Sequence, residues 1–228
     1  MGHRQYPRIS LFPLAEYVHA SAPRRRRIIE GQANPRGEVV PLYRLIRPVA
    51  SRFLRSGGRD RGIVDRAILR LEALTPASKW GESDLRNSVA VLRHLPAVKG
   101  LNLGEKVTGT RRDGSISLGG TTVSVNPTVA VYGSVGLGAV ALHLSKSRPL
   151  RDDVGATAAT ILRWFVAQRL GLTLDEVPHG LCQVVDVWRE RTFQAPPAYK
   201  TRMRLVEASC REIATAWPYR DTSGYAAP

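Results

Sequence analysis

Residues 139–144, Ala-Val-Ala-Leu-His-Leu, are apolar at every position but His143. The run is short and follows a glycine-rich interruption, Gly133-Ser134-Val135-Gly136-Leu137-Gly138. An apolar run of this length, bounded by turn residues, reads as a strand covered on both faces. The remaining chain therefore has to supply cover on two sides, and its apolar spacing supplies it as helices. Ile9, Leu11, Leu14, Tyr17 and Val18 share a helical face. A second stripe runs from Val39 to Leu54 with Pro41 and Pro48 inside it. Ile63, Val64, Ala67, Ile68, Leu71 and Leu74 mark a helix over 61–75, ended by Pro76. Leu85, Val89, Leu92 and Leu95 mark another over 82–95, with Ser83 as its cap and Pro96 as its stop.

From residue 107 the pattern turns to β. Asp113-Gly114 and Gly119-Gly120 read as turns around a strand with Ile116 and Leu118; Thr122–Val125 and Val129–Tyr132 follow. A helix is expected over Asp152–Leu170 with Val154, Ala158, Ile161, Leu162, Phe165 and Val166 as its stripe. A single strand is expected over Cys182–Phe193, and a last helix over Ala198–Trp217 carries Met203, Val206, Cys210, Ile213 and Trp217. The order is that of an α+β protein, α/β-like, with a small mixed sheet flanked by helices. Three regions are expected: a basic helical segment at 1–58, an α+β core domain at 59–218, and a mobile tail at 219–228.

The 228 residues carry 34 Lys and Arg against 19 Asp and Glu, a net charge of +15. Twelve Arg and four acids fall within residues 1–60, so about half the excess sits in the first quarter. A field of this sign attracts polyanions. The sharpest cluster is Arg24-Arg25-Arg26-Arg27, behind Ser21 as an N-cap and Pro23 in the first turn, with Gly31 as the expected stop. Neighbours on a helix stand about 100° apart, so four consecutive arginines cannot all face one groove. Arg111 and Arg112, Lys146 and Arg148, and Lys200, Arg202 and Arg204 complete the candidate phosphate contacts. With aromatics at 7%, backbone binding is favoured over a stacking platform.

The succession helix, strands, helix, strand, helix over residues 82–217 resembles the core of the PD-(D/E)XK, or restriction-endonuclease-like, nuclease superfamily. The resemblance implies an acid near the start of the second core strand and an acid-x-Lys triplet on the third, which together hold Mg²⁺ and position a water. Here the second strand opens with Asn126-Pro127-Thr128, and the third, Gly138 to Lys146, contains no carboxylate. Lys146 alone remains. The implied scaffold is a degenerate nuclease-like one that lacks its metal-binding acids. A migrated site would have to combine Asp186 with Asp113, Asp152 or Asp153.

Other chemistry is thin. No two of His3, His19, His94, His143 and His179 have close ligand spacing, and His143 reads as a packed core residue. Residues 133–138 lack the Gly-Lys-Ser/Thr of a nucleotide loop and the G-x-S-x-G of a nucleophile elbow. Cys182 and Cys210 make no disulfide framework, which fits a reduced, cytoplasmic protein, and no secretory signal or membrane span is expected.

The expectation is therefore a non-catalytic nucleic-acid-binding protein that grips DNA or RNA phosphate, a subunit with protein partners in a microbial nucleic-acid-processing or defence assembly. No cofactor, metal or membrane contact is expected. The alternatives are the divergent metal-dependent nuclease and a protein-interaction scaffold for an acidic partner.

Overall fold

In a computed structural model, which describes residues 5–35, 45–76, 79–109 and 114–218, the apolar run forms the middle of a sheet. It belongs to β6 (Gly136–His143) in a five-stranded sheet ordered β2 (Lys106–Gly109), β5 (Val129–Gly133), β6, β7 (Cys182–Asp186), β8 (Arg191–Gln194). β6 and β7 run parallel and are joined through the helix α6 (Asp152–Leu170); every other pair in this sheet is antiparallel. Along β6 the side chains alternate between two hydrophobic cores. Ala139 and Ala141 enter one, Val140 and Leu142 the other.

The second core lies under α3 (Ile46–Arg55), α4 (Arg61–Glu72) and α5 (Lys79–His94), where Phe53, Leu54, Val64 and Leu92 meet Val131, Val140 and Val185. The first core lies between the sheet and α6, and continues beyond α6 to α1 (Leu11–Val18), α2 (Ala22–Ala33), α7 (Lys200–Ala216) and a second, three-stranded sheet. That small sheet is ordered β1 (Arg8–Ser10), β4 (Thr121–Val125), β3 (Gly114–Leu118). The fold is α+β, with its strands divided between two sheets. Among the described residues no helix is long and apolar enough to cross a membrane.

α6 is covered nearly all round. Its expected stripe is buried, but so are Gly155, Thr157, Ala159, Thr160 and Arg163 on its other sides. The small residues let neighbours approach closely: a Cβ on Gly155 would run into the Phe193 ring, and one on Gly114 would meet Phe165 at 2.5 Å. Gly171, at φ 68°, closes the helix in the left-handed region.

Several local expectations change. Ile9 belongs to β1, not to the helix behind it: its neighbours pair in parallel with β4, Ile9 opposite Val123. α2 runs through Gly31 to Ala33 and ends at Asn34, because a solvent-side glycine weakens a helix without breaking it. α5 begins at Lys79, ahead of Ser83. Pro48 sits in the first turn of α3, where its missing N–H costs nothing, so the helix is not divided there. Residues 182–193 form two strands, because Glu190 takes φ 53° in a tight turn and sends β8 back along β7. The glycine-rich 133–138 segment is no loop: Gly133 pairs with Gly136 across a two-residue hairpin turn. Residues 39–44, Asp113 and the 219–228 tail lie outside the described residues.

Both cysteines are free and buried, and burial pushes each thiol up to about 12. Gln183, wholly buried on β7, accepts from the Asn102 N–H at 2.8 Å and donates to the Asn102 carbonyl. That peptide-like pairing ties the 99–104 loop to the sheet.

Candidate functional site

The parallel strands β6 and β7 end side by side, with His143 opposite Asp186. Crevices outside the carboxyl ends of parallel strands are where open sheets bind ligands. Here that position holds a cleft of about 1240 Å³. Its walls come from distant parts of the chain: α1, the start of α2, Arg47 of α3, Asn87 of α5, the end of β6 and the 144–151 segment that leads into α6.

Among the described residues, five cationic side chains line the cleft (Arg24, Arg47, Lys146, Arg148 and Arg151) against one carboxylate, Glu16. Glu16 is itself neutralised, accepting from Arg24 Nε at 2.6 Å. Arg151 reaches Asp153 at 2.7 Å. Arg47, Lys146 and Arg148 are exposed and pair with no carboxylate among the described residues. Lys146 instead lies over the Trp188 ring, 5.2 Å from its centroid.

Two histidines also line the cleft. His143 is 7% exposed, with Nε2 2.6 Å from the Arg148 carbonyl oxygen. A carbonyl only accepts, so Nε2 carries the proton and Nδ1 is the bare nitrogen of the neutral ring. Burial holds this imidazole below its ordinary range, against the opposing pull of the Arg148 carbonyl and Asp186. His19 bonds Thr157 Oγ1 at 2.8 Å and faces Asp153 at 3.5 Å. Burial lowers its pKa too; Asp153 opposes, and the charges of Arg202 and Arg151 add to the lowering.

The structure thus brings three of the expected phosphate contacts, Arg24, Lys146 and Arg148, into one cleft, and sets Arg202 within electrostatic reach of it through His19. Arg25 does something else. It pairs with Glu212 of α7 at 3.0 Å, donates to the Tyr17 and Val18 carbonyls and lies over the Tyr17 ring, so it clamps α2 to α1 and α7. Arg26, Arg27, Lys200 and Arg204 are exposed and outside the cleft lining. Arg111 and Arg112 lie outside the described residues. Sequence reasoning missed Arg47, Arg151 and His19. Arg151 could have been read as an extension of Lys146-Ser147-Arg148; nothing local marks the other two.

Of the carboxylates considered for a migrated metal site, Asp186, Asp152 and Asp153 are each engaged, and Asp113 lies outside the described residues. Asp186 is wholly buried: one oxygen accepts the Leu150 N–H at 2.8 Å, the other the Arg189 N–H at 3.3 Å. Neither the Arg163 nor the Arg189 guanidinium pairs with it; Arg163 donates to the Val177 carbonyl at 2.7 Å and covers the Tyr199 ring. Asp152 pairs with Arg191 at 2.6 Å, and Asp153 also accepts the Val154 N–H at 2.8 Å. Among the described residues no three His, Cys, Asp or Glu side chains gather to hold a metal ion. The work of Asp186 here is to hold the 144–151 segment, and hence Lys146 and Arg148, against the sheet.

No protein-family model matches the chain, and no curated protein matches it closely enough to count as a relative.

Proposed function

We propose that this chain is a nucleic-acid-binding protein that holds backbone phosphate in the cleft at the ends of β6 and β7, without catalysing a reaction itself, as one subunit of a nucleic-acid-processing assembly. The observation that carries the reading is the convergence of Arg47, Lys146 and Arg148, from two segments a hundred residues apart, on one cleft where none of them pairs with a carboxylate among the described residues. The net charge of +15 supplies the long-range attraction, and the cleft supplies the place where it acts. The engagement of Asp186, Asp152 and Asp153 with backbone amides and arginines favours binding over metal-dependent cleavage.

The test is a titration of labelled DNA and RNA against wild type and the Arg47→Glu/Lys146→Glu/Arg148→Glu variant at two salt concentrations, with Mg²⁺ present. Each phosphate contact contributes about 0.7 to 0.9 to the slope of log affinity against log salt. The variant should therefore lose about 2 to 3 units of slope and well over tenfold in affinity, while Arg26→Glu/Arg27→Glu changes both much less. Wild-type binding should leave the nucleic acid intact. An unchanged slope in the triple variant would remove the cleft as the binding site, and Mg²⁺-dependent cleavage abolished by Asp186→Asn would replace a binder with an enzyme.

A further inference from the structure

The rim of the cleft accounts for phosphate, but its inner wall is not built for phosphate. Where Arg47, Lys146 and Arg148 are exposed, the apolar part of the lining is withdrawn from solvent: Phe12, Pro13 and Leu144 are half-buried and Leu142, Leu150 and Val154 buried. Phe12 is half-buried, and its ring meets the His143 imidazole edge-on, with centroids 4.7 Å apart and planes at 64°. Two rings therefore stand on one wall of the cleft. Asn87, Ser145 and Ser147 add an amide and two hydroxyls, groups that both donate and accept.

Size and layering narrow the ligand. Sites for single small molecules span roughly 300–1,000 Å³, and this cleft is larger at about 1240 Å³, so more than one nucleotide unit fits. A duplex carries its phosphates outside and hides its base faces in the stack. It can touch the rim but reaches the floor only by extruding a base. An unpaired strand presents charge and π-face together, the combination that single-strand grooves hold with cations and aromatic side chains.

Building on the phosphate-binding reading, we propose that the cleft takes unpaired nucleotides of a single strand, with a base against the Phe12 and His143 wall and its phosphates on Lys146, Arg148 and Arg47. Phe12 is then a specificity residue: it separates unpaired from paired nucleic acid, while the rim sets general affinity.

The experiment measures binding of wild type, Phe12→Leu and Phe12→Ala to a labelled single strand, a blunt duplex of the same sequence and a duplex with a single-stranded overhang, in DNA and RNA versions, with a nucleoside monophosphate as competitor. The single strand and the overhang should bind about tenfold or more tighter than the blunt duplex in at least one of the two chemistries. Phe12→Leu keeps the apolar volume and removes the π-face, so it should weaken single-strand binding about fivefold or more and leave duplex binding alone. Thermal unfolding of each variant reports separately whether it is folded, with Phe12→Leu as the variant expected to remain so. Equal affinity for strand and duplex, unaffected by Phe12→Leu, overturns this proposal and leaves phosphate binding standing. Competition by the monophosphate at the strand's own affinity overturns it in favour of a free nucleotide as ligand. Absence of binding to any nucleic acid at low salt overturns this proposal and the reading beneath it together.

Discussion

His143 sits where the structure and the proposed chemistry meet. Its Nε2–H holds the Arg148 carbonyl, its ring braces Phe12, and its strand position faces Asp186. Because burial lowers its pKa in the folded protein, the unfolded chain binds the proton more readily. Stability is then full above the unfolded value of about 6.5 and is lost as pH falls through the window between the unfolded and the lowered folded value, at up to about 1.4 kcal/mol per pH unit. His19, lowered for the same first reason, adds in the same direction. His143→Gln keeps an N–H for the Arg148 carbonyl and removes one titration. Urea denaturation across a pH series should show a shallower decline below about pH 6.5 for the variant, and a slope equal to wild type would mean that His143 is not one of the groups responsible.

At the level of elements, α6 sets the spacing of everything around it. A Cβ on Gly155 would enter the Phe193 ring, whose strand is held at the sheet edge. Gly155→Ala would gain about 1 kcal/mol of helix propensity and lose about 1–3 kcal/mol to overpacking, so the loss wins or at best breaks even. The expected outcome is a denaturation midpoint at or below wild type, whereas the same change at Gly31, where nothing lies within 4 Å, should raise it. This contrast also marks how far the sequence was legible. The stripe Val154, Ala158, Ile161, Leu162, Phe165, Val166 is plain in the letters, since helical spacing is a local property. That the helix is enclosed on its other sides is not, because Gly, Ala and Thr are compatible with either solvent or tight packing. β1 was missed for the same reason: Arg8-Ile9-Ser10 is too short to show a period, and the partner that makes it a strand is more than a hundred residues away. The turn at Val187–Glu190 is hard to read because no Gly, Pro, Asn or Asp marks it between Val187 and Phe193, so residues 182–193 read as one strand centred on Val184, Val185 and Val187.

For the whole molecule, the cleft shows the same division. Arg24, Lys146 and Arg148 were legible as charge clusters, and their convergence was not, since it depends on α1 packing against α6 and on Asp186 holding the loop between β6 and α6. The buried apolar residues from Ile9 to Ala33 share one core with α6, β7 and α7. Ile9, wholly buried, is the probe for that. Ile9→Ala should cost about 2–5 kcal/mol, a large share of the roughly 5–15 kcal/mol that stabilises a domain. If the two cores unfold together, far-ultraviolet circular dichroism and tryptophan fluorescence will give one shared, lowered midpoint; two separated transitions would mean that the cores unfold independently.

The pairing of β1 with β4, and of α1 with α6, has a consequence in time. A ribosome makes the basic first quarter of this chain long before the segments that enclose it, so the emerging protein carries charge well ahead of having a groove to put it in. Until α6 has left the exit tunnel, Phe12 and Arg24 have only α1 and α2 to pack beside, and the 144–151 segment still waits for Asp186, which is made later. If the cleft binds as proposed, the nascent chain would attract polyanions loosely and without discrimination, and selectivity would arrive late, with the finished fold.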